Sequence, residues 1–192
     1  MGAESLDETS PLRVRAFFGL PVPEAQREIL ARYVERCAAL AGDFRWVAPA
    51  NLHLTVRFLG HVERQALDVL VTRLTKQRLR GFDLELSEVG TFKRGQLVRV
   101  VWIGLRRDVV AASALAATVE AECRSAGLEP EERRFQPHLT LARARGREGS
   151  ALPSLPDAPR LDPWQADELV LYQSHLGRAG SVYEPLANLR LD

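Results

Sequence analysis

Cysteine, histidine and any surplus of one charge are scarce in this chain, and each scarcity narrows what it can be. Two cysteines, Cys37 and Cys123, occur in 192 residues, too few for a disulfide framework. Both fall on apolar faces of expected helices, which reads as buried thiols in a reducing compartment. Lys plus Arg number 26 against 25 Asp plus Glu, so no global positive field exists to hold a long nucleic-acid backbone. Any anionic ligand must be bound locally. No apolar run approaches the length of a membrane span, and Met1 to Pro11 is polar and acidic rather than basic and then apolar, the opposite of an export signal. Met1-Gly2 lacks the Ser or Thr that myristoylation wants at the sixth position, where Leu6 stands. The expectation is a cytoplasmic protein in which residues 1–12 are a disordered tail. Also missing are a Gly-rich phosphate loop and a Gly-x-Ser-x-Gly elbow, which argues against nucleoside triphosphate enzymes and serine hydrolases.

What the chain has is a core and a repeat. Apolar residues make up 46%, ample for one compact domain or two intimately packed lobes over 13–192. A strand is expected over Arg13 to Leu20. Pro23 then starts a helix with the stripe Leu30, Tyr33, Val34, Cys37, and Gly42 ends it. After Trp46-Val47 a strand begins at His53 and is expected to end at Gly60. Leu67, Leu70, Val71 and Leu74 mark a second helix. Phe82, Leu84 and Leu86 alternate with polar residues as a half-buried strand, and Leu97 to Leu105 reads as another. Asp108 is placed to cap a third helix carrying Leu115, Val119 and Cys123, with Gly127 and Pro130 as stop signals. Pro153, Pro156, Pro159 and Pro163 make Gly146 to Pro163 a surface connection, after which strands resume at Glu168 to Ser174 and Tyr183 to Leu189. Interleaved short strands and helices predict an α+β fold with mostly antiparallel sheets flanked by helices.

His53-Leu54-Thr55-Val56 returns as His138-Leu139-Thr140-Leu141, so two of only four histidines share one setting. In a strand, alternate side chains share a face. Each copy therefore offers an imidazole and a hydroxyl on one side and two apolar anchors on the other. Because a helix precedes each copy, the chain reads as a diverged duplication, two pseudo-twofold lobes around a central cleft. With an unperturbed pKa of about 6.5, one imidazole of a pair can act as base while the other acts as acid. In-line displacement at phosphorus needs that pairing, and Thr55 and Thr140 can donate to non-bridging phosphate oxygens. Zinc is the chemical rival, but each motif supplies one imidazole and no nearby carboxylate, so no metal and no other cofactor is expected. His61 reads as a surface loop residue and His175 as structural. Arg57 alternates onto the His53 face as a secondary candidate.

These residues resemble the two-histidine phosphoesterases, and most closely their RNA 2′,3′-cyclic phosphodiesterase branch, historically called 2′-5′ RNA ligases. Arg15-Ala16-Phe17 is similar to the family's opening strand. Trp46-Val47 with Asn51-Leu52-His53-Leu54-Thr55, and Phe135-x-Pro137-His138-Leu139-Thr140-Leu141, resemble its two signatures, and Leu171-Tyr172 through Tyr183-x-Pro185-Leu186 its closing stretch. The resemblance implies a bilobal fold and a metal-free cleft that hydrolyses RNA terminal 2′,3′-cyclic phosphate to a 2′-phosphate. His53 would be the acid toward the departing 3′ oxygen and His138 the base that activates water, an assignment that near-symmetry leaves open to exchange. It also implies a phosphate-binding role for Arg143. Strict alternation puts Arg143 with Leu139 and Leu141, so reaching the cleft requires a bulge, a strong twist or a strand end. Phe17 is the candidate ring for the nucleobase. The expected partners are RNA 3′ ends or nucleotides carrying a cyclic phosphate, met by a monomer with no membrane and no obligate protein partner. Three other readings stay open: a reversible 2′-5′ ligase, a small cyclic-nucleotide phosphodiesterase, and a module that binds RNA ends without turnover.

Overall fold

The computed structural model describes residues 12–177 and 180–192; except for Leu12, the expected tail lies outside them. Alternating apolar residues produce the long strands β1 (Arg13–Pro21), β3 (His53–Glu63), β4 (Phe82–Arg94), β5 (Leu97–Arg107), β6 (His138–Ala144), β8 (Glu168–Gly177) and β9 (Gly180–Arg190). Two short strands, β2 (Phe44–Trp46) and β7 (Trp164–Ala166), complete the set. All pair antiparallel, in the order β7-β4-β5-β6-β3-β1-β8-β9, with β2 added to the end of β6. The order mirrors itself about the β6–β3 seam: β5 flanks one His strand as β1 flanks the other. The α+β architecture predicted from the pattern is the one observed.

Helices α1 (Glu24–Leu40), α2 (Arg64–Thr75) and α3 (Val109–Ser125) each bury one stripe. Leu30, Tyr33, Val34 and Cys37 form that of α1, Leu67, Leu70 and Leu74 that of α2, and Ala112, Leu115, Ala116, Val119 and Cys123 that of α3, at the spacing of a single helical face. The third helix packs on β3 and α2, and α1 packs on β2 and the 3-10 turn Pro49–Asn51. One apolar cluster joins these stripes to the inward faces of the strands. Both cysteines are fully buried, and burial raises their thiol pKa values, Cys123 to about 11; neither is a ready nucleophile.

Expectations at two places need correction, and one short strand lies outside all of them. Gly60 does not end the first His strand. It adopts a φ of +74°, and the strand continues to Glu63, pairing His61 with Arg15, so His61 is an exposed strand residue rather than a loop residue. Asp108 does not cap α3: its own backbone is left-handed, with a φ of 55°, and its carboxylate accepts the Asp83 backbone N–H at 3.1 Å. Trp164–Ala166 at the end of the proline-rich connection forms β7 against Phe82–Leu84, a three-residue strand too short for periodicity to reveal.

Candidate active site

The two His strands meet at a single ladder pair, Leu54 with Leu139. Antiparallel register around that pair directs Thr55 toward His138 and Thr140 toward His53, so the two motifs interleave on one face of the seam. Leu54, Val56, Leu139 and Leu141 anchor the opposite face in the core.

Both imidazoles are clamped in the same way. His53 Nδ1 lies 2.7 Å from the Asn51 carbonyl, and His138 Nδ1 lies 2.7 Å from the Gln136 carbonyl. Since a carbonyl only accepts, Nδ1 carries the proton in each ring, which leaves Nε2 as the lone-pair nitrogen of the neutral form. His53 Nε2 lies 3.0 Å from Thr55 Oγ1; His138 Nε2 has no protein partner among the described residues. Each clamp comes from the residue two before its His: Asn51 closes the 3-10 turn that leads into β3, and Gln136 precedes Pro137, which biases it toward extended backbone.

Rings enclose both histidines. Phe17 lies 4.6 Å from His53, Tyr183 stands edge-on at 5.2 Å, and Tyr172 lies at 6.1 Å. Phe92 stands edge-on to His138 at 5.0 Å, with Trp102 at 6.1 Å. Gly19 makes room on the first side, since a Cβ there would come within 3.1 Å of His53 Cδ2. Gly90 does so on the second, where a Cβ would fall 2.3 Å from the Trp102 ring. Enclosure lowers both imidazole pKa values. For His53 the value falls to about 4, chiefly through burial, opposed by the Asn51 carbonyl and reinforced by the charges of Arg143 and His138. His138 is lowered by burial, opposed by the Gln136 carbonyl and reinforced by Arg143. Both rings are therefore neutral at pH 7 in the unliganded protein.

Two bulges decide which arginine serves the cleft. Opposite β5, Val101 pairs with Ala142 and Trp102 with Thr140, so Leu141 is the extra residue. Leu141 and Ala142 are consecutively buried, and alternation resumes with Arg143 on the histidine face. The bulge that strict alternation required is present, and Arg143 stands close enough for its charge to act on both rings. In β3 the same slip occurs at Val56, between the pairs Phe18–Arg57 and Gly19–Thr55. Val56 and Arg57 are both buried, and the candidate Arg57 is turned away from His53. It binds Glu120 through Nε at 2.5 Å and the Glu129 carbonyl at 2.6 Å, and also donates to the Phe58 carbonyl. Phe58 thus takes the position in the first motif that Arg143 holds in the second, with Arg15 Cζ 4.5 Å above its ring.

The structure accordingly brings together His53, His138, Thr55, Thr140 and Arg143 and excludes Arg57, while Phe17, only 3% exposed and packed among His53, Tyr172 and Tyr183, supports the imidazole and is not open to a nucleobase. His175 pairs with Glu184 at 3.0 Å on the exposed hairpin β8–β9. Phe92 and Trp102 carry no mark in the sequence as site residues, and Tyr172 stands there only as part of the closing stretch. Each lies on a strand far away in the chain, where a ring reads equally well as core. Among the described residues, no three His, Cys, Asp or Glu side chains converge as metal ligands would.

Paired His-x-Thr strands at the seam of a duplicated antiparallel sheet define a class, the phosphoesterases built on two facing imidazoles. The chain belongs to the LigT-like phosphoesterase family, whose model matches it twice, over residues 20–102 and 103–183. Each match contains one His-x-Thr motif. The RNA 2′,3′-cyclic phosphodiesterase of Escherichia coli strain K12 is 32% identical over 176 residues, covering 90% of this chain and 93% of that protein. The enzyme of the same name from Aeropyrum pernix is 31% identical over 167 residues, 84% and 94% of the two chains. The crystal structure of E. coli LigT complexed with 3′-AMP superposes with a TM-score of 0.80 at 30% identity, covering 94% of this chain and 99% of that one. E. coli LigT has also been solved with NADP+.

Proposed function

We propose that this protein hydrolyses the 2′,3′-cyclic phosphate at RNA 3′ ends to a 2′-phosphate, using its two histidines as acid and base. The observation that carries the reading is the pair of identically clamped imidazoles, each with Nδ1 fixed on a backbone carbonyl and Nε2 turned away from it, beside Arg143, whose charge acts on both rings. The names borne by relatives about 30% identical over most of the chain support the substrate class.

In this reading His138 Nε2, neutral and without a protein partner, takes a proton from water as the water oxygen bonds to phosphorus. The P–O3′ bond breaks in line, and the 3′ oxygen leaves with a proton from His53 Nε2, while the 2′ oxygen keeps the phosphate. Thr55, Thr140 and Arg143 hold the non-bridging oxygens as their charge grows, and Phe17, buried against the imidazole, keeps His53 in place. The pKa of His53, about 4 in the empty site, must rise for this role. Burial is the chief cause of the low value; a bound anion offsets the smaller contribution of Arg143 and itself favours the imidazolium, so the acid acquires its proton as substrate binds. The reaction draws on no metal or other cofactor. The protein works as a cytoplasmic monomer.

Incubation in chelator of a cyclic-phosphate oligonucleotide, with and without a second oligonucleotide bearing a 5′-hydroxyl, tests the reading. The expected result is hydrolysis at a rate the second strand does not alter. Faster 2′-5′ joining than hydrolysis would make the protein a ligase, and binding without conversion would make it a recognition module.

A further inference from the structure

Three arginines, Arg15, Arg99 and Arg143, meet at one end of the cleft, and among the described residues no carboxylate pairs with them. Arg143 pairs across the ladder with Val100, next to Arg99. Arg99 is itself the extra residue of a bulge, since Phe92 pairs with Val100 and Lys93 with Val98, and the bulge breaks its alternation and sets it beside Arg143. From the other half, Arg15 stands two residues before Phe17 on the same face of β1. It lies over Phe58 and donates from Nη1 to Ser174 Oγ at 2.7 Å. Arg15 and Arg99 both press the Arg143 guanidinium below its ordinary pKa, after burial, which is the larger cause. Among the described residues none of the three forms an ion pair.

One cyclic phosphate carries a single negative charge, and Arg143 suffices for it. Two further guanidinium groups each repel Arg143 until more anion arrives. In an RNA end the next anion is the phosphodiester one nucleotide upstream. We infer that Arg15 and Arg99 form a subsite for the phosphodiester immediately 5′ to the terminal nucleotide, so that the protein acts on oligonucleotide ends in preference to nucleoside 2′,3′-cyclic phosphates. The inference rests on the hydrolysis proposed above. A near-neutral chain can hold RNA in this way because the positive charge is concentrated where the strand enters.

The test compares kcat/KM for three substrates: a nucleoside 2′,3′-cyclic phosphate, a dinucleotide ending in the same group, and that dinucleotide with a neutral methylphosphonate linkage. The charged dinucleotide should exceed the neutral one by on the order of tenfold or more. Arg99→Gln, at an exposed position, should erase most of that difference and flatten the dependence of log kcat/KM on log salt by about one unit. Equal rates for charged and neutral linkages overturn the inference and leave hydrolysis standing. A preference that survives in both Arg99→Gln and Arg15→Gln overturns the assignment to these residues. Turnover of none of the three overturns the proposed function and the inference together.

Discussion

Replacing Arg57 by alanine separates two arginines that sequence alternation assigns to the wrong faces. Arg57 is 8% exposed and gives its donors to the Glu120 carboxylate and the carbonyls of Phe58 and Glu129, with Glu131 3.8 Å away. Truncation leaves Glu120 and two carbonyls without their cation. Breaking a buried ion pair from one side costs about 3–5 kcal/mol. Glu120 keeps 23% side-chain exposure and also accepts the Glu131 backbone N–H, so solvent can reach it and the low end applies, about 3 kcal/mol. For a chain of this size that lowers Tm by roughly 6–12 °C. Urea unfolding at 25 °C measures the cost directly, and removing both partners in Arg57→Ala with Glu120→Ala should cost less than the sum of the single changes. Hydrolytic kcat/KM of Arg57→Ala, assayed where the variant is folded, should remain near wild type because the side chain lies behind the sheet. Arg143→Ala should behave oppositely, losing activity at nearly unchanged stability. Lost activity with unchanged stability in Arg57→Ala would refute the bulge at Val56 as the device that sorts these residues.

His53→Gln and His138→Gln should each lower kcat by roughly 10²–10⁴ while the folded protein is retained, with activity assays and circular dichroism as the check; near wild-type turnover in either variant would remove that ring from the chemistry. Because the folded protein holds the His53 pKa near 4, the unfolded chain binds a proton that the native state excludes between about pH 6.5 and 4. Stability is therefore full above pH 6.5 and falls on acidification through that window, by about 2–3 kcal/mol after allowance for partial exposure. Subtracting the urea stability profile of His53→Gln from that of wild type isolates this slope, and identical profiles would contradict the depressed pKa. Gly90→Ala should force the Trp102 ring aside, costing about 1–3 kcal/mol in stability and disturbing His138. Unchanged unfolding and KM would show that the ring has slack.

The fold was readable wherever periodicity is long. The stripes Leu30-Tyr33-Val34-Cys37 and Leu115-Val119-Cys123 and the alternation from Phe82 to Leu86 specify their elements locally. The repeated His-Leu-Thr motif specifies its own face, because period-two geometry acts within a few residues. Arg57, Arg143 and Arg99 depend instead on where a bulge falls. A bulge is fixed by packing against a neighbouring strand, and β5 lies more than thirty residues from β6 in the chain. Phe92, Trp102 and Tyr172 were illegible for a related reason, since an aromatic on a half-buried strand has the same local signature whether it faces a core or a histidine. Asp108 misled because a good capping side chain precedes a helix here with its backbone in the left-handed region, where it bridges to β4 instead.

The most direct test of the account is phosphorus NMR of a short RNA ending in a 2′,3′-cyclic phosphate, followed in chelator with wild type, His53→Gln and His138→Gln. The account predicts that wild type converts the cyclic signal to a terminal 2′-phosphate monoester and that both variants leave it essentially unchanged. A 3′-phosphate product, or conversion that persists in both variants, would contradict it.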